Sequence, residues 1–244
     1  MSPIISNVNI IPNVIDEIAI GGGPPALATI DNNFSMEFDG MDDVIDIGNF
    51  TLIDNISKFS LSLWYNPDFV NTNYRIWGKY SSNTTWLGLQ ATNTGQIQGL
   101  VSNGVLAYST GAASELTAGT WNHLVLVFDG TEGTPDDRIK MYVNGQETAS
   151  YTVTGTLPTT TPPTSDYTAY GKHLWIGSSG WPGGVPPSAD LVNGNIDEVG
   201  IWNVVLSDID IERIYNATSA GTPDQTADLS DLSTPPIAWY RMGD

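Results

Sequence analysis

The sequence contains no cysteine, which excludes disulfide bonds and thiolate metal sites. Basic residues are scarce: Lys and Arg number 8 against 27 Asp and Glu, which gives a formal net charge of −19. Nucleic acid and anionic membranes are therefore not expected as partners, because binding to phosphate groups requires clustered cations. No apolar run of about 18 residues occurs, so no transmembrane helix is predicted. The first residues also lack the basic and apolar pattern of a secretory signal.

What the chain does contain is enough apolar material for a folded core. It has 244 residues with 40% hydrophobic content, which fits one large domain or two smaller ones. Apolar residues alternate along short segments such as residues 58–65, and turn residues separate these segments at intervals of roughly ten. This pattern predicts an all-β protein, a two-sheet antiparallel jelly-roll sandwich. A single short helix is predicted at residues 208–216, with Ser207 as its cap.

The most informative segment is the turn at residues 39–43, between two short predicted strands. Its three aspartates, Asp39, Asp42 and Asp43, repel one another unless solvent or a cation neutralises them. Calcium is the usual cation for such an all-oxygen cluster, although a plain polar turn also fits the pattern.

Residues 1–30 differ from the rest, because nine Ile and Val residues crowd a short span that ends in Gly21-Gly22-Gly23-Pro24-Pro25. One interpretation is an attachment arm that adds a strand to a neighbouring subunit or to an assembly. The other interpretation is an edge strand of the domain itself. The sequence therefore predicts an arm at 1–30, the sandwich at 31–217, and a C-terminal extension with a final strand at 218–244.

The order and spacing of several motifs resemble a known family. The segments that carry the resemblance are residues 38–48, 59–67, 119–130, 139–145, 175–177 and 194–203. Together they resemble the laminin-G-like members of the concanavalin A-like lectin/glucanase superfamily. The resemblance implies a structural calcium site in which Asp39 and Gly40 meet Asp197, while Asp42 and Asp43 are secondary. The alternative is that Asp197 only accepts backbone hydrogen bonds from that turn.

Catalytic patterns are not found. The glucanases of the superfamily carry paired carboxylates on one strand face as Glu-x-Asp-x-x-Glu, and no such run occurs here. Asp197 and Glu198 are adjacent and are expected on opposite faces of a strand. His123 and His173 have no metal-ligand spacing and are interpreted as core or surface residues. The protein is therefore predicted not to be an enzyme.

Aromatic residues are the remaining resource for binding, because sugar rings stack on flat aromatic faces. Trp77, Trp86, Trp175 and Tyr108 are candidates to line the concave sheet, and Trp181 lies in a loop rich in Gly and Pro. Packing within the core is the alternative role for each of them.

Two settings fit these observations. The first is a virion surface protein of capsid-decoration or fibre type, attached to capsid or tail proteins through residues 1–30 and able to bind glycans weakly. The closing residues 237–244 resemble tails of marine bacteriophage structural proteins, which favours this setting. The second is an extracellular carbohydrate-binding module of a secreted bacterial adhesin or polysaccharide-degrading protein. Assembly into homo-oligomers fits either setting.

Overall fold

A computed structural model of the chain describes residues 25–167, 172–179, 190–217 and 225–242. These residues form short strands and one α-helix, α1 (Asp208–Ala217). The strands are β1 (Thr29–Asp31), β2 (Met36–Asp39), β3 (Ile45–Asn49), β4 (Lys58–Pro67), β5 (Tyr74–Ser82), β6 (Thr85–Ala91), β7 (Ile97–Asn103), β8 (Tyr108–Thr110), β9 (Asn122–Asp129), β10 (Ile139–Val143), β11 (Gln146–Glu147), β12 (Thr152–Thr154), β13 (His173–Ile176), β14 (Asn193–Trp202), β15 (Gln225–Ala227) and β16 (Ala238–Tyr240).

Fourteen of the strands form two seven-stranded antiparallel sheets, which confirms the predicted sandwich. The first sheet has the order β11-β10-β9-β4-β14, and both β2 and β16 pair with β14 at its edge. The second sheet has the order β12-β8-β7-β6-β5-β13-β3. Consecutive strands β2 and β3 therefore lie in different sheets, and the acidic turn between them crosses from one sheet to the other.

The main core lies between the sheets. Strands β4 and β9 supply alternate apolar residues to it, including Phe59, Leu61 and Phe128, which are all fully buried. Residues of the opposite alternation face away from this core, as expected for the two-residue period of a strand. The fold thus leaves the outer face of each sheet for a separate role.

The outer face of the first sheet is covered by the ends of the described chain. Val125 and Trp202 on this face pack in a second apolar cluster with Leu27, Ile211 and Ala227. Strand β1 pairs with β15, and the predicted final strand is β16. The predicted domain boundaries after residue 30 and before residue 218 therefore do not separate the packing, because residues on both sides of each boundary pack on the sandwich. Residues 1–24 of the predicted arm lie outside the described residues.

Local sequence signals set the turn after β10 and the start of α1. Asn144 and Gly145 have φ angles of 54° and 76°, as the two-residue hairpin turn requires. Ser207 Oγ accepts a hydrogen bond from Asp210 N at 3.1 Å, which confirms the predicted cap. Residues 146–154 form two separate strands, because β11 pairs with β10 in the first sheet whereas β12 pairs with β8 in the second.

Candidate functional site

The acidic turn is held by its own side chains at one rim of the sandwich. Asp39 Oδ1 accepts hydrogen bonds from Met41 N at 2.8 Å and Asp42 N at 3.4 Å, and Asp43 Oδ2 accepts from Asp39 N at 3.1 Å. Gly40 has a φ of +76°, a left-handed conformation that glycine adopts without a Cβ penalty. These bonds curl the turn and bring its carboxylates to one side.

Asp39, Asp42 and Asp43 form a cluster of exposed carboxylates. One oxygen from each residue lies within 4.8 Å of the others. Carboxylate oxygens at such spacing suit calcium, which takes several oxygen ligands at about 2.3–2.6 Å. The geometry therefore joins Asp42 and Asp43, which the sequence ranked second, directly to Asp39.

Asp197 does not join this cluster, and the predicted pairing of Asp39 and Gly40 with Asp197 was wrong. Asp39 is paired with Asn193 on β14, four residues before Asp197, a separation of about 13 Å along an extended strand. Asp197 is fully buried and accepts hydrogen bonds from Asn32 Nδ2 and Glu198 N, both at 2.8 Å. Its role is therefore to hold the segment that precedes β2 against β14.

Glu198 lies within a register shift of β14, between Asp197 and Gly200, and is also buried beneath the C-terminal segment. Thr226 Oγ1 donates to it at 3.1 Å and Arg241 Nε at 3.3 Å, and Trp239 Nε1 is a third donor. Burial raises the pKa of Glu198, while these donors oppose the shift. The carboxylate is thus occupied in attaching the C-terminal segment to the sandwich.

A cleft of about 350 Å³ lies beside the acidic turn, and we call it the rim cleft. Its walls come from the ends of β2 and β14, the loop between β4 and β5, and the segment before β14. The side chains that give the cleft its chemical character are those of Asp39, Phe69, Asn71, Asn73, Asp190 and Asn193. The cleft therefore combines one exposed aromatic ring, that of Phe69, with five carboxylate or amide side chains, and the buried Tyr74 also lines it.

The asparagines of the rim cleft are positioned by hydrogen bonds yet keep polar groups for a ligand. Asn193 Nδ2 donates to Asp39 O at 3.0 Å, while its buried Oδ1 has no partner among the described residues. Asn73 Oδ1 accepts from Asn93 N at 3.1 Å, and Asn71 Oδ1 accepts from Tyr74 Oη at 3.4 Å. Nothing in the described chain accepts from the amide groups of Asn71 and Asn73.

Phe69 is the exposed apolar component of the rim cleft. Its side chain is 55% exposed, whereas an aromatic side chain contributes most to stability when it is buried. Sequence reasoning missed this residue and its asparagine neighbours. The available signal was the polar loop at residues 68–73, which places one aromatic residue among Asp and Asn between two long strands.

The predicted aromatic residues lie elsewhere. Trp86, Trp175 and Tyr108 are on the outer face of the second sheet, but Trp86 and Trp175 are only 7% and 2% exposed. The prediction that Trp77 lines the concave sheet for a ligand was wrong, because Trp77 is fully buried in the main core. Trp181 lies outside the described residues.

Arg75 connects the rim cleft to the outer face of the second sheet. Its Nη2 lies 3.0 Å from Asp190 Oδ2, and its guanidinium carbon lies 4.7 Å from the ring centre of Trp86. Burial lowers the pKa of Arg75, and the carboxylate of Asp190 opposes that shift. The cation is thus held between an acidic partner and an aromatic ring.

The two histidines do not form a catalytic centre. His123 is fully buried, its Nε2 lies 2.8 Å from Ser62 Oγ, and its ring stacks near Trp64 and Tyr215. His173 Nδ1 lies 2.8 Å from Asp46 Oδ2 on the outer face of the second sheet. A buried imidazole cannot reach a substrate, so the Ser62–His123 pair is a packing feature.

We expect His123 to make stability depend on pH. Burial lowers its pKa to about 3 in the folded protein, from 6.5 for an exposed histidine. Below the unfolded value the unfolded chain therefore binds more protons, and stability falls as the pH falls. Between about pH 7 and pH 5 the loss is about 2 kcal/mol. Urea unfolding of the native protein and of His123→Asn at both pH values measures it, and equal pH dependence in the two proteins would contradict the assignment.

Comparison with known families agrees with this architecture. The family profile described as the concanavalin A-like lectin/glucanases superfamily matches residues 39–212, well over half of the chain. The chain belongs to this superfamily. A search of curated protein sequences found no match.

Solved structures of several other proteins have the same fold at low sequence identity. A protein from Bacteroides ovatus that is assigned a carbohydrate-binding role has a TM-score of 0.57 at 17% identity, covering 91% of this chain and 53% of its own. The carbohydrate-binding module CBM40 of the Ruminococcus gnavus IT-sialidase, bound to α2,3 sialyllactose, has a TM-score of 0.58 at 14% identity, covering 78% and 99%. The NanB sialidase of Streptococcus pneumoniae has a TM-score of 0.55 at 19% identity, covering 77% and 28%.

These similarities apply to the fold alone. The chain spans about half the length of the Bacteroides ovatus protein and 28% of the NanB sialidase. Among the described residues, no helix is long and apolar enough to cross a membrane.

Proposed function

We propose that this domain is a non-catalytic glycan-binding module and that the rim cleft is its binding site. The observation that carries the proposal is the combination of the exposed Phe69 ring with the polar side chains of Asn71, Asn73, Asp190 and Asn193 in one cleft of about 350 Å³. A sugar presents an apolar ring face and a periphery of hydroxyl groups. The cleft offers a complementary group for each.

The chemistry of each wall supports this role. The Phe69 ring is accessible for contact with the C–H face of a sugar ring. The amide groups of Asn71 and Asn73 are donors for sugar oxygens. Loops on a rigid sandwich are also the usual position of binding residues.

The comparisons support the class of ligand without defining it. The Ruminococcus gnavus module and the Bacteroides ovatus protein are both connected with carbohydrate binding. This chain spans only part of the Bacteroides ovatus protein and of the NanB sialidase, so we propose glycan binding for this domain and not an activity of those whole proteins.

Replacing Phe69 with alanine is expected to weaken glycan binding about tenfold, because the stacking face is lost. A glycan array first identifies the bound sugar, and titration calorimetry then compares native protein and Phe69→Ala. Leu52→Ala is the matched control, since Leu52 is similarly exposed at 56% but does not line the cleft. An array without hits for folded protein would refute the function, and equal affinity of Phe69→Ala would refute the site.

We also propose that calcium binds the carboxylates of Asp39, Asp42 and Asp43 and fixes the edge of the rim cleft. At calcium concentrations about tenfold above the dissociation constant, the domain should be more stable by about 1.4 kcal/mol. Asp42→Asn should abolish this gain, because it removes a ligand whose carboxylate makes no hydrogen bond to the described chain. Asp136→Asn, at another exposed aspartate, is the control, and a melting temperature unchanged by chelator would refute the site.

The biological setting is a further part of the proposal. A virion surface protein is supported by the Ile-rich sequence of residues 1–30 and by the closing residues 237–244. Since residues 25–31 pack on the domain, an attachment arm would comprise residues 1–24. Deleting residues 1–24 should then abolish copurification with capsids or tails. A secreted carbohydrate-binding module is the alternative, and it predicts no such association.

A further inference from the structure

We infer that the rim cleft selects neutral glycans and rejects sugars that carry carboxylate or sulfate groups. This inference rests on the proposed glycan-binding function and narrows it to a ligand class. It depends on where the few cations of the protein lie and on which charges surround the cleft.

Nearly all cations of the protein are already engaged within it. All eight Lys and Arg residues of the sequence fall in the described part of the chain. Six of them form ion pairs with carboxylates: Lys58, Arg75, Lys79, Lys140, Arg213 and Arg241. Arg138 donates to the backbone oxygens of Glu132 and Leu157. Lys172 is the remaining cation, and it does not line the rim cleft.

Arg75 is the cation next to the cleft, yet its position does not suit an anionic ligand. The residue is 5% exposed, its guanidinium pairs with Asp190 at 3.0 Å, and it lies over the ring of Trp86 at 4.7 Å. A sugar carboxylate that approached Arg75 from the cleft would compete with Asp190 for the same cation. Recognition of a carboxylate normally uses an accessible guanidinium that donates two parallel hydrogen bonds.

The charges beside the cleft that no cation neutralises within the described chain are negative. Asp39 lines the cleft, Asp42 and Asp43 lie within the same turn, and Asp190 is paired with Arg75. With calcium bound, two positive charges oppose the three carboxylates of the turn, so one negative charge remains there. Charges of like sign across a binding site suppress the wrong partner. A neutral sugar avoids this repulsion and still uses the hydrogen-bonding groups of Asn71 and Asn73.

This ligand class differs from that of a protein with the same fold. The Ruminococcus gnavus module was solved with α2,3 sialyllactose, a sugar that carries a carboxylate. Its identity to this chain is 14%, so the shared fold does not carry the ligand across. The distribution of charge in this protein points to a different class.

The experiment is a glycan array that contains matched neutral and acidic pairs, such as lactose beside α2,3 sialyllactose and beside sulfated lactose. The expected result is binding confined to neutral members, with acidic partners at least about tenfold weaker in titration. Preferential binding of an acidic member would overturn this inference and leave the glycan-binding function intact. An array without any hit for folded protein would overturn both.

A charge variant then tests whether electrostatics is the cause. Thr72 is exposed and lines the rim cleft, so Thr72→Lys adds a cation there and leaves the phenyl ring, the amides and the carboxylates of the cleft in place. This variant should reduce the discrimination between a neutral sugar and its acidic partner. Ser150→Lys adds the same charge next to β11, at the opposite edge of the first sheet from β2. If both variants change the discrimination equally, the charges around the cleft are not its cause.

Discussion

Asp54→Asn is expected to destabilise the protein by about 3–5 kcal/mol, because it breaks an ion pair that is buried on both sides. Asp54 Oδ1 lies 2.6 Å from Lys79 Nζ, and the two side chains are only 3% and 0% exposed. Lys79 also donates to Phe50 O at 2.9 Å and lies 4.3 Å from the ring centre of Tyr167. The substitution leaves a buried ammonium group without its counter-charge, and burial already lowers the pKa of Lys79.

Urea unfolding measures this loss, and two further variants isolate its cause. Thr164→Val removes only the hydrogen bond from Thr164 Oγ1 to Asp54 Oδ2, which is 2.7 Å long, and should cost about 1 kcal/mol. The double variant Asp54→Leu with Lys79→Met removes both charges and should be more stable than Asp54→Asn. If the free energy of unfolding of Asp54→Asn lies within about 1 kcal/mol of that of the native protein, the ion pair is not the source of stability proposed for it.

Gly194→Ala is expected to cost about 3 kcal/mol or more and to weaken the rim cleft as well. Gly194 lies in β14 between its partners in β2 and β4, with a φ of +120°. A Cβ there would lie 2.2 Å from Asn66 O and 2.9 Å from Pro67 Cα, both of them backbone atoms. The strands must move apart, which displaces the neighbouring Asn193 and, through the β2 pairing, Asp39.

Gly48→Ala is the matched control for this prediction. Gly48 has a φ of +81°, but a Cβ added there meets no atom within 4 Å. Gly48→Ala should therefore lose only about 1 kcal/mol of stability, which is the cost of a left-handed backbone conformation for alanine. Urea unfolding of both variants separates steric conflict from backbone strain. Equal costs at the two positions would contradict the steric account of Gly194.

Much of the scaffold could be predicted from local patterns. The alternation in residues 58–65, the Asn144-Gly145 turn and the Ser207 cap each depend on neighbouring residues, and each corresponds to an element that the structure contains. The spacing of short alternating segments predicted the two-sheet arrangement correctly. The order and spacing of the motifs identified the superfamily correctly. Local chemistry decides such features, so sequence alone is sufficient for them.

The site was harder to predict because irregular strands decide which residues face where. Strand β5 shifts register between Arg75 and Trp77, so that Ile76 and Trp77 both enter the core and the simple two-residue alternation fails. The partner of Asp39 likewise depends on long-range register, which places Asn193 beside it and leaves Asp197 about 13 Å further along β14. The rim cleft combines three distant segments, and no local pattern joins them.

The most direct test of the proposed site is nuclear magnetic resonance of isotope-labelled protein titrated with the sugar that the array identifies. We predict that the amide signals of Phe69, Asn71, Asn73 and Asn193 shift with saturation, while the indole N–H signals of Trp86 and Trp175 do not move. Saturating shifts at Trp86 and Trp175 with unchanged signals in the rim cleft would refute the proposed site. Such a result would place the binding site on the outer face of the second sheet.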